Sequence, residues 1–319
     1  MTSYWRTLKA WQTPLTLRLA QAGLHLHGGA PLHTPSQRTA LQPFFIIGAG
    51  RSGTTLLRRI LAAHPDLAIP PESQGKIPNL VKKFYRYRGL DWPDLVNVSL
   101  GEFAAFPTFH FWQLDLEPVR TSLLSLPQAE RSLAAIVDGI YGGFLQQNAP
   151  QATRWGDKSP FNTLRLKWIE RLFPKAVYLH MLRDGRDVVS SYVKAGLFDT
   201  AQAAAWRWRH SVQAARAHQR RVEDARFLVV RYEELVQRPT EIAAQVGQLL
   251  DVTITPEMID APADHLGDTA LAHMANVHKP VTTASLGKWR KGLSSAQQAA
   301  VRPILEKPLV QAGYLEGWG

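Results

Sequence analysis

A chain of 319 residues, 45% of them hydrophobic, can bury a sizeable core as one large domain or two modest ones. It contains no cysteine, which excludes disulfides and thiolate metal sites and fits a reducing, cytoplasmic compartment. The formal net charge of +11 asks for an anionic partner; the cations are scattered and no nucleic-acid motif accompanies them, so a small anionic ligand is expected rather than DNA or RNA.

In chain order, residues 1–42 form an N-terminal extension. Trp5, Leu8, Trp11, Leu15 and Leu19 alternate with Arg6, Lys9 and Arg18. That pattern suits one or two short amphipathic helices, which either touch a membrane surface through residues 1–25 or pack on the domain. The segment lacks the uninterrupted apolar core of a secretory signal. Nowhere does the chain carry an apolar run of about 18 residues, so no membrane span is expected. Gly28 through Pro35 reads as a loop into the first strand.

Phe44-Phe45-Ile46-Ile47 then reads as a strand of a parallel sheet, buried on both faces. Gly48, Gly50 and Gly53 allow a tight turn that approaches a ligand closely. Thr54 and Thr55 open a helix with Leu56, Leu57, Ile60 and Leu61 at helical spacing, ending near Ala63. The unpaired amides at such a helix start make an anion site. The spacing approaches the P-loop GxxxxGK[ST], yet Thr54 stands where the nucleotide-binding lysine is required, which argues against ATP or GTP. Arg51, inside the turn, is a planar fork suited to phosphate or sulfate.

Leu67-Ala68-Ile69 reads as a short strand, and Glu72 follows at its carboxyl end, where open α/β sheets bind ligands. A carboxylate there can take a proton from a hydroxyl, or be a solvated loop acid. Residues 76–150 read as an inserted, mostly helical region. Its aromatics, from Phe84 to Trp112, form either an acceptor-binding wall or the insert's own core, with His110 a packed histidine. Arg154 to Pro160 is a polar cluster read as a loop, with Lys158 just ahead of a helix from about Asn162 to Phe173.

Ala176 to Leu182 is a second buried strand, followed by Arg183-Asp184-Gly185-Arg186-Asp187 and a helix bearing Ser191. Arg183 at the strand end and Ser191 two helical turns on can converge on one phosphate. Two such strand-end anion sites imply a ligand with anionic groups at two places. Ala201–Val222 is a sheet-covering helix, Arg226–Arg231 a third clear strand, and Thr240–Leu250 a helix with Pro239 at its start. The histidines of residues 251–284 lack ligand spacing, so no metal is assigned. Ser285 to Ser294 is a basic loop leading to a last helix, about Ser295 to Ala312.

From about Pro43 to Tyr314 the chain resembles the sulfotransferases that use 3′-phosphoadenosine 5′-phosphosulfate (PAPS), closest to the protein-tyrosine and bacterial branch. Gly50-Arg51-Ser52-Gly53-Thr54-Thr55-Leu56 is similar to the family's 5′-phosphosulfate loop, and Arg183 through Ser191 to its 3′-phosphate motif. Arg231-Tyr232-Glu233 and Lys288-Trp289 are similar to two further family segments, and Asp157-Lys158-Ser159-Pro160-Phe161 to the one supplying an active-site lysine.

The resemblance implies a P-loop-like three-layer α/β/α fold with a central parallel sheet, spanning residues 43–319, with the insert of residues 76–150 as acceptor-binding region. It implies sulfuryl transfer from PAPS, leaving 3′,5′-phosphoadenosine (PAP), without a metal. Glu72 would be the general base, with Arg51 and Lys158 stabilising charge. Arg51, Ser52, Gly53, Thr54, Thr55, Arg183, Ser191, Tyr232, Lys288, Trp289 and Arg290 would hold the nucleotide. Gly287 stands where that branch has a serine, with Ser285 two residues earlier. The acceptor is open among small molecules, glycans, lipids and peptides. A nucleotide kinase and a non-catalytic nucleotide-binding protein are the competing readings.

Overall fold

Phe44, Phe45, Ile46 and Ile47 have no polar side to turn outward, and all four are completely buried. The computed structural model describes residues 29–262, 266, 267, 278, 280–314 and 318. The amphipathic pattern expected over residues 1–25 lies outside them, as do His265 and His273. Strand β1 (Phe44–Gly48) is the middle of a five-stranded parallel sheet with β2 (Leu67–Ala68), β3 (Arg154–Lys158), β4 (Val177–Leu182) and β5 (Phe227–Arg231), in the order β2-β3-β1-β4-β5. Alternate residues face opposite layers, as the strand period requires. Phe45, Ile47 and Tyr178 pack into one core, and Phe44, Ile46, Leu179 and Met181 into the other.

The polar cluster at residues 154–158 is strand β3, a correction to its reading as a loop. It lies between β1 and β2, with Asp157 beside Phe45 and Lys158 beside Ile46. Its polar side chains hid the strand, because each is satisfied from another element. Tyr141 and Asn162 donate to the Asp157 carboxylate, Asp138 accepts from the Trp155 indole, and Lys158 pairs with Glu72. Gly156 leaves room for the Phe44 ring; a Cβ there would lie 2.4 Å from two ring carbons. A polar strand is tolerated inside a sheet when its buried groups are paired.

The helices follow the expected order. After α1 (Pro35–Ala40), capped by Thr34, comes α2 (Thr54–Ala62). The insert consists of α3 (Lys76–Tyr87), α4 (Trp92–Ala104), α5 (Leu116–Leu124) and α6 (Leu133–Asn148). Some of its aromatics are core, while Tyr85, Tyr87, Phe109 and Phe111 are half-buried. Phe103, Trp112 and Tyr141 are fully buried, and Tyr141 stacks on Trp155 at 4.1 Å, which joins the insert to the sheet. His110 is exposed rather than packed, its Nδ1 3.0 Å from the Pro107 carbonyl oxygen. It sits in a 3₁₀ turn, Phe109–Trp112, whose first and last rings stack on each other and leave the histidine outside.

The second half runs through a 3₁₀ turn (Asn162–Arg165), α7 (Leu166–Leu172), α8 (Gly185–Lys194), α9 (Ala201–Gln219), α10 (Tyr232–Gln237), α11 (Pro239–Leu250) and α12 (Pro256–Ile259). It ends with α13 (Trp289–Gly292) and α14 (Ser295–Gln311). Helices α2, α10 and α11 cover one face of the sheet; α3 to α7 and part of α9 cover the other. The carboxyl ends of β3, β1, β4 and β5 therefore lie side by side between two helical layers. Clefts for ligands form at such strand ends.

Candidate active site

The turn after β1 is the first component. Arg51 sits at φ 66°, a left-handed conformation rare for a residue with a Cβ, so its surroundings must hold it. They do: Arg183 Nη1 donates to the Arg51 carbonyl at 3.1 Å, and Arg51 Nε donates to Ser191 Oγ at 3.1 Å. Burial, aided by the charge of Arg183, lowers the Arg51 guanidinium pKa, and Tyr192 opposes the shift. Two arginines brought together at one turn make a site for an anion. Behind them, α2 begins at Gly53 with no side-chain cap, leaving first-turn amides for a ligand.

Arg183, at the end of β4, is the hub. Besides Arg51, its Nη2 donates to the Ser285 carbonyl at 2.6 Å, and its guanidinium lies 4.3 Å from the centre of the Tyr232 ring. Its Nε is buried with no hydrogen-bond partner among the described residues. The Tyr232 ring also presses on Gly53, so one phenol supports both anion-binding turns. Glu233 fixes the next residue, accepting from the Asp184 amide at 2.9 Å and from the Tyr314 hydroxyl at 3.0 Å. The Arg231-Tyr232-Glu233 segment at the end of β5 thus braces the end of β4.

Arg51, Gly53, Thr54, Thr55, Arg183, Ser191, Tyr232 and Lys288 border one cavity of about 730 Å³, together with Ser285. Ser52, Trp289 and Arg290 do not border it: Ser52 is buried, Trp289 is buried under the Arg186 guanidinium, and Arg290 lies over the outer side of Trp289. Gly287 has φ 65°, where a serine would be strained, and this accounts for the glycine at that position. At the edge of the same loop, Lys158 Nζ lies 3.5 Å from Thr55 Oγ1 and forms an ion pair with Glu72 Oε1. Lys158 has no exposed side-chain surface, whereas Glu72 keeps 24% of its own. The carboxylate is the partner that a substrate can reach.

Residues 43–256, more than half of the chain, match the model of the sulfotransferase family. The chain belongs to that family. This sulfotransferase is 25% identical over 262 residues to a putative protein-tyrosine sulfotransferase of Caenorhabditis briggsae, covering 78% of this chain and 80% of the relative. It is 25% identical over 257 residues to the protein-tyrosine sulfotransferase of Drosophila melanogaster, covering 77% of this chain but only 46% of the fly protein. Among solved structures, the sulfotransferase domain of the Synechococcus PCC 7002 olefin synthase is 26% identical with a TM-score of 0.59, covering 85% of this chain and 96% of that domain. The sulfotransferase is accordingly an enzyme of sulfuryl transfer with the α/β fold expected for it.

Sequence reasoning passed over several residues of the site. Lys194 and Lys291 border the cavity, and Asp187 reaches backbone amides of residues 287 and 289. Tyr192 supports the Arg51 turn, its phenol packing on Gly50 and hydrogen-bonded to Arg207, whose Nη2 also donates to the Pro160 carbonyl at 2.8 Å. Only Asp187 left a signal, one helical turn after Arg183.

Proposed function

We propose that this sulfotransferase moves a sulfuryl group from PAPS to a hydroxyl or amine acceptor by in-line transfer, with Glu72 as general base. The observation that carries the reading is the cavity bordered by both Arg51 and Arg183, with the Glu72–Lys158 pair outside its lining but linked to it through Thr55, which Lys158 meets at 3.5 Å. The residues fit a nucleotide with separated anionic groups. An uncapped helix start and Arg51 stand on the turn after β1, and Arg183, whose buried Nε has no partner among the described residues, stands with Ser191 on the turn after β4, the two turns meeting where Arg51 Nε donates to Ser191. The donor, when bound, supplies a sulfuryl group already activated by a phosphate leaving group.

The chain's own residues then have distinct tasks. Arg51 and the amides of Thr54 and Thr55 hold the 5′-phosphosulfate end, and Arg183 and Ser191 hold the 3′-phosphate. Glu72 takes the proton as the acceptor oxygen or nitrogen bonds to sulfur and the bond from sulfur to the bridging oxygen breaks. Lys158 and Arg51 stabilise negative charge on the sulfuryl oxygens and on the departing phosphate. Lys158 starts paired with Glu72, which holds the carboxylate beside the Thr55 end of the glycine turn. The insert of residues 76–150 walls the acceptor side and sets which acceptor is used.

Glu72→Gln tests the reading. A general base contributes about 10²- to 10⁴-fold, so turnover with labelled PAPS should fall by that factor while PAP still binds. Turnover within about threefold of wild type would contradict the assignment of the base.

A further inference from the structure

Asp187 is an acid on the wall of an anion site. It is buried, borders the cavity, and its Oδ2 lies 3.8 Å from Arg183 Nη2. By charge alone it should weaken the binding of a phosphate beside Arg183. Its hydrogen bonds indicate a different task. Oδ2 accepts from the Gly287 amide and Oδ1 from the Trp289 amide, both at 2.9 Å. These amides belong to the strap 285–292, which carries Lys288 and Lys291 to the cavity wall. Arg183 takes the strap's other end through the Ser285 carbonyl, and Arg186 lies 4.4 Å from the centre of the Trp289 ring. At its far end the strap touches the same helix again: a Cβ on Gly292 would lie 2.2 Å from Ser190 Oγ.

We infer that Asp187 is the positioning residue that gives this site its preference for a 3′-phosphorylated nucleotide, by fastening the strap and its two lysines on the cavity wall that Arg183 also borders. The inference rests on the PAPS reading. It makes helix α8 serve twice: its Ser191 faces the 3′-phosphate beside Arg183, and its Asp187 brings the second set of cations to it. An aspartate suits the task because it has one acceptor oxygen for each amide. Asparagine has a single acceptor oxygen, and glutamate is one methylene too long to meet both amides from the same helix position.

The test is calorimetric titration of wild type, Asp187→Asn and Asp187→Glu with PAP and with 5′-AMP, alongside thermal melts. Wild type should prefer PAP. Both variants should lose about 10-fold or more of their PAP affinity while AMP affinity changes less than about threefold, the loss expected when charge-assisted hydrogen bonds are removed. Simple removal of a negative charge would make Asp187→Asn bind PAP more tightly, and that result, or an unchanged ratio of PAP to AMP affinity, overturns the inference. A parallel fall in both affinities reduces Asp187 to a folding residue and also overturns it. Gly292→Ala, which lifts the strap from its other end, should reproduce the selective loss and decides the matter if the Asp187 variants do not fold; an unchanged ratio there overturns it too. A wild type with no preference for PAP over AMP defeats the PAPS reading as well, whereas a preference that survives in all the variants defeats this inference alone.

Discussion

Arg183 shows how one side chain can be held ready for a ligand. Its two terminal nitrogens are engaged by the Arg51 and Ser285 carbonyls, its face by the Tyr232 ring, and its Nε has no partner among the described residues. A lysine has a single nitrogen and no planar face, so it cannot bridge both carbonyls and stack at once. Arg183→Lys should therefore weaken PAP binding about 10- to 100-fold, and titration against wild type measures it. An affinity within threefold of wild type would mean that the hub is dispensable. Arg183, Arg51 and Glu72 were legible in the sequence because each stands at a fixed offset from a glycine turn or a strand end. Asp187 stands in the same motif as Arg183, but its task was not legible, because its partners are backbone amides about 100 residues away that no side-chain pattern records.

At the scale of elements, β3 is the strand whose placement the chemistry needs and whose sequence disguised it. Lys158 reaches Glu72 because β3 runs between β1 and β2, and Asp157 anchors that end of the strand to the insert through Tyr141. Burial raises the Asp157 pKa, and hydrogen bonds from Ser73, Tyr141 and Asn162 counter the shift. Tyr141→Phe removes one donor from a buried carboxyl group and should destabilise the fold by about 1–3 kcal/mol, measured by urea denaturation. It should also lower turnover, since Lys158 is the next residue on the strand. Strands β1 and β4 were readable from four or more apolar residues in a row, each covered on both faces. In β3 the pattern fails because its polar side chains are matched by groups from α6 and the 3₁₀ turn, and such pairing is visible only once the chain has folded. The insert was readable as helical, but its aromatics could not be divided between core and acceptor wall. Phe103, Trp112 and Tyr141 face a core shared with Trp155, so whatever distinguishes acceptors is left to the rim.

For the whole molecule, the same burial that shapes the sheet makes stability depend on pH. His180 lies inside on β4, and burial, then Arg216, lower its pKa from 6.5 to about 4. Once unfolded, its ring takes a proton near the ordinary value, so between these two limits the unfolded chain binds more protons. Stability is therefore lost as pH falls through that window and levels off below it, by roughly 3 kcal/mol for this one group. His218 shifts in the same direction, through burial and then Arg221 and Arg226. The carboxyl groups of Asp138, Asp157 and Glu233, raised by burial, act with the opposite sign. The test is consequently a difference: His180→Leu should flatten the pH dependence of the unfolding free energy between pH 6.5 and 4 relative to wild type. Identical slopes for the two proteins would exclude a buried neutral His180.

The net charge of +11 and the cavity bordered by Arg51 and Arg183 bear on one central claim, that the cationic turns after β1 and β4 grip one nucleotide at both of its anionic ends. Calorimetric titration of the wild-type protein with PAP in the presence of a chelator, repeated with ATP and magnesium, tests it most directly. PAP should bind without added metal and ATP should bind far more weakly. Tight magnesium-dependent binding of ATP, with no measurable heat from PAP, would contradict it.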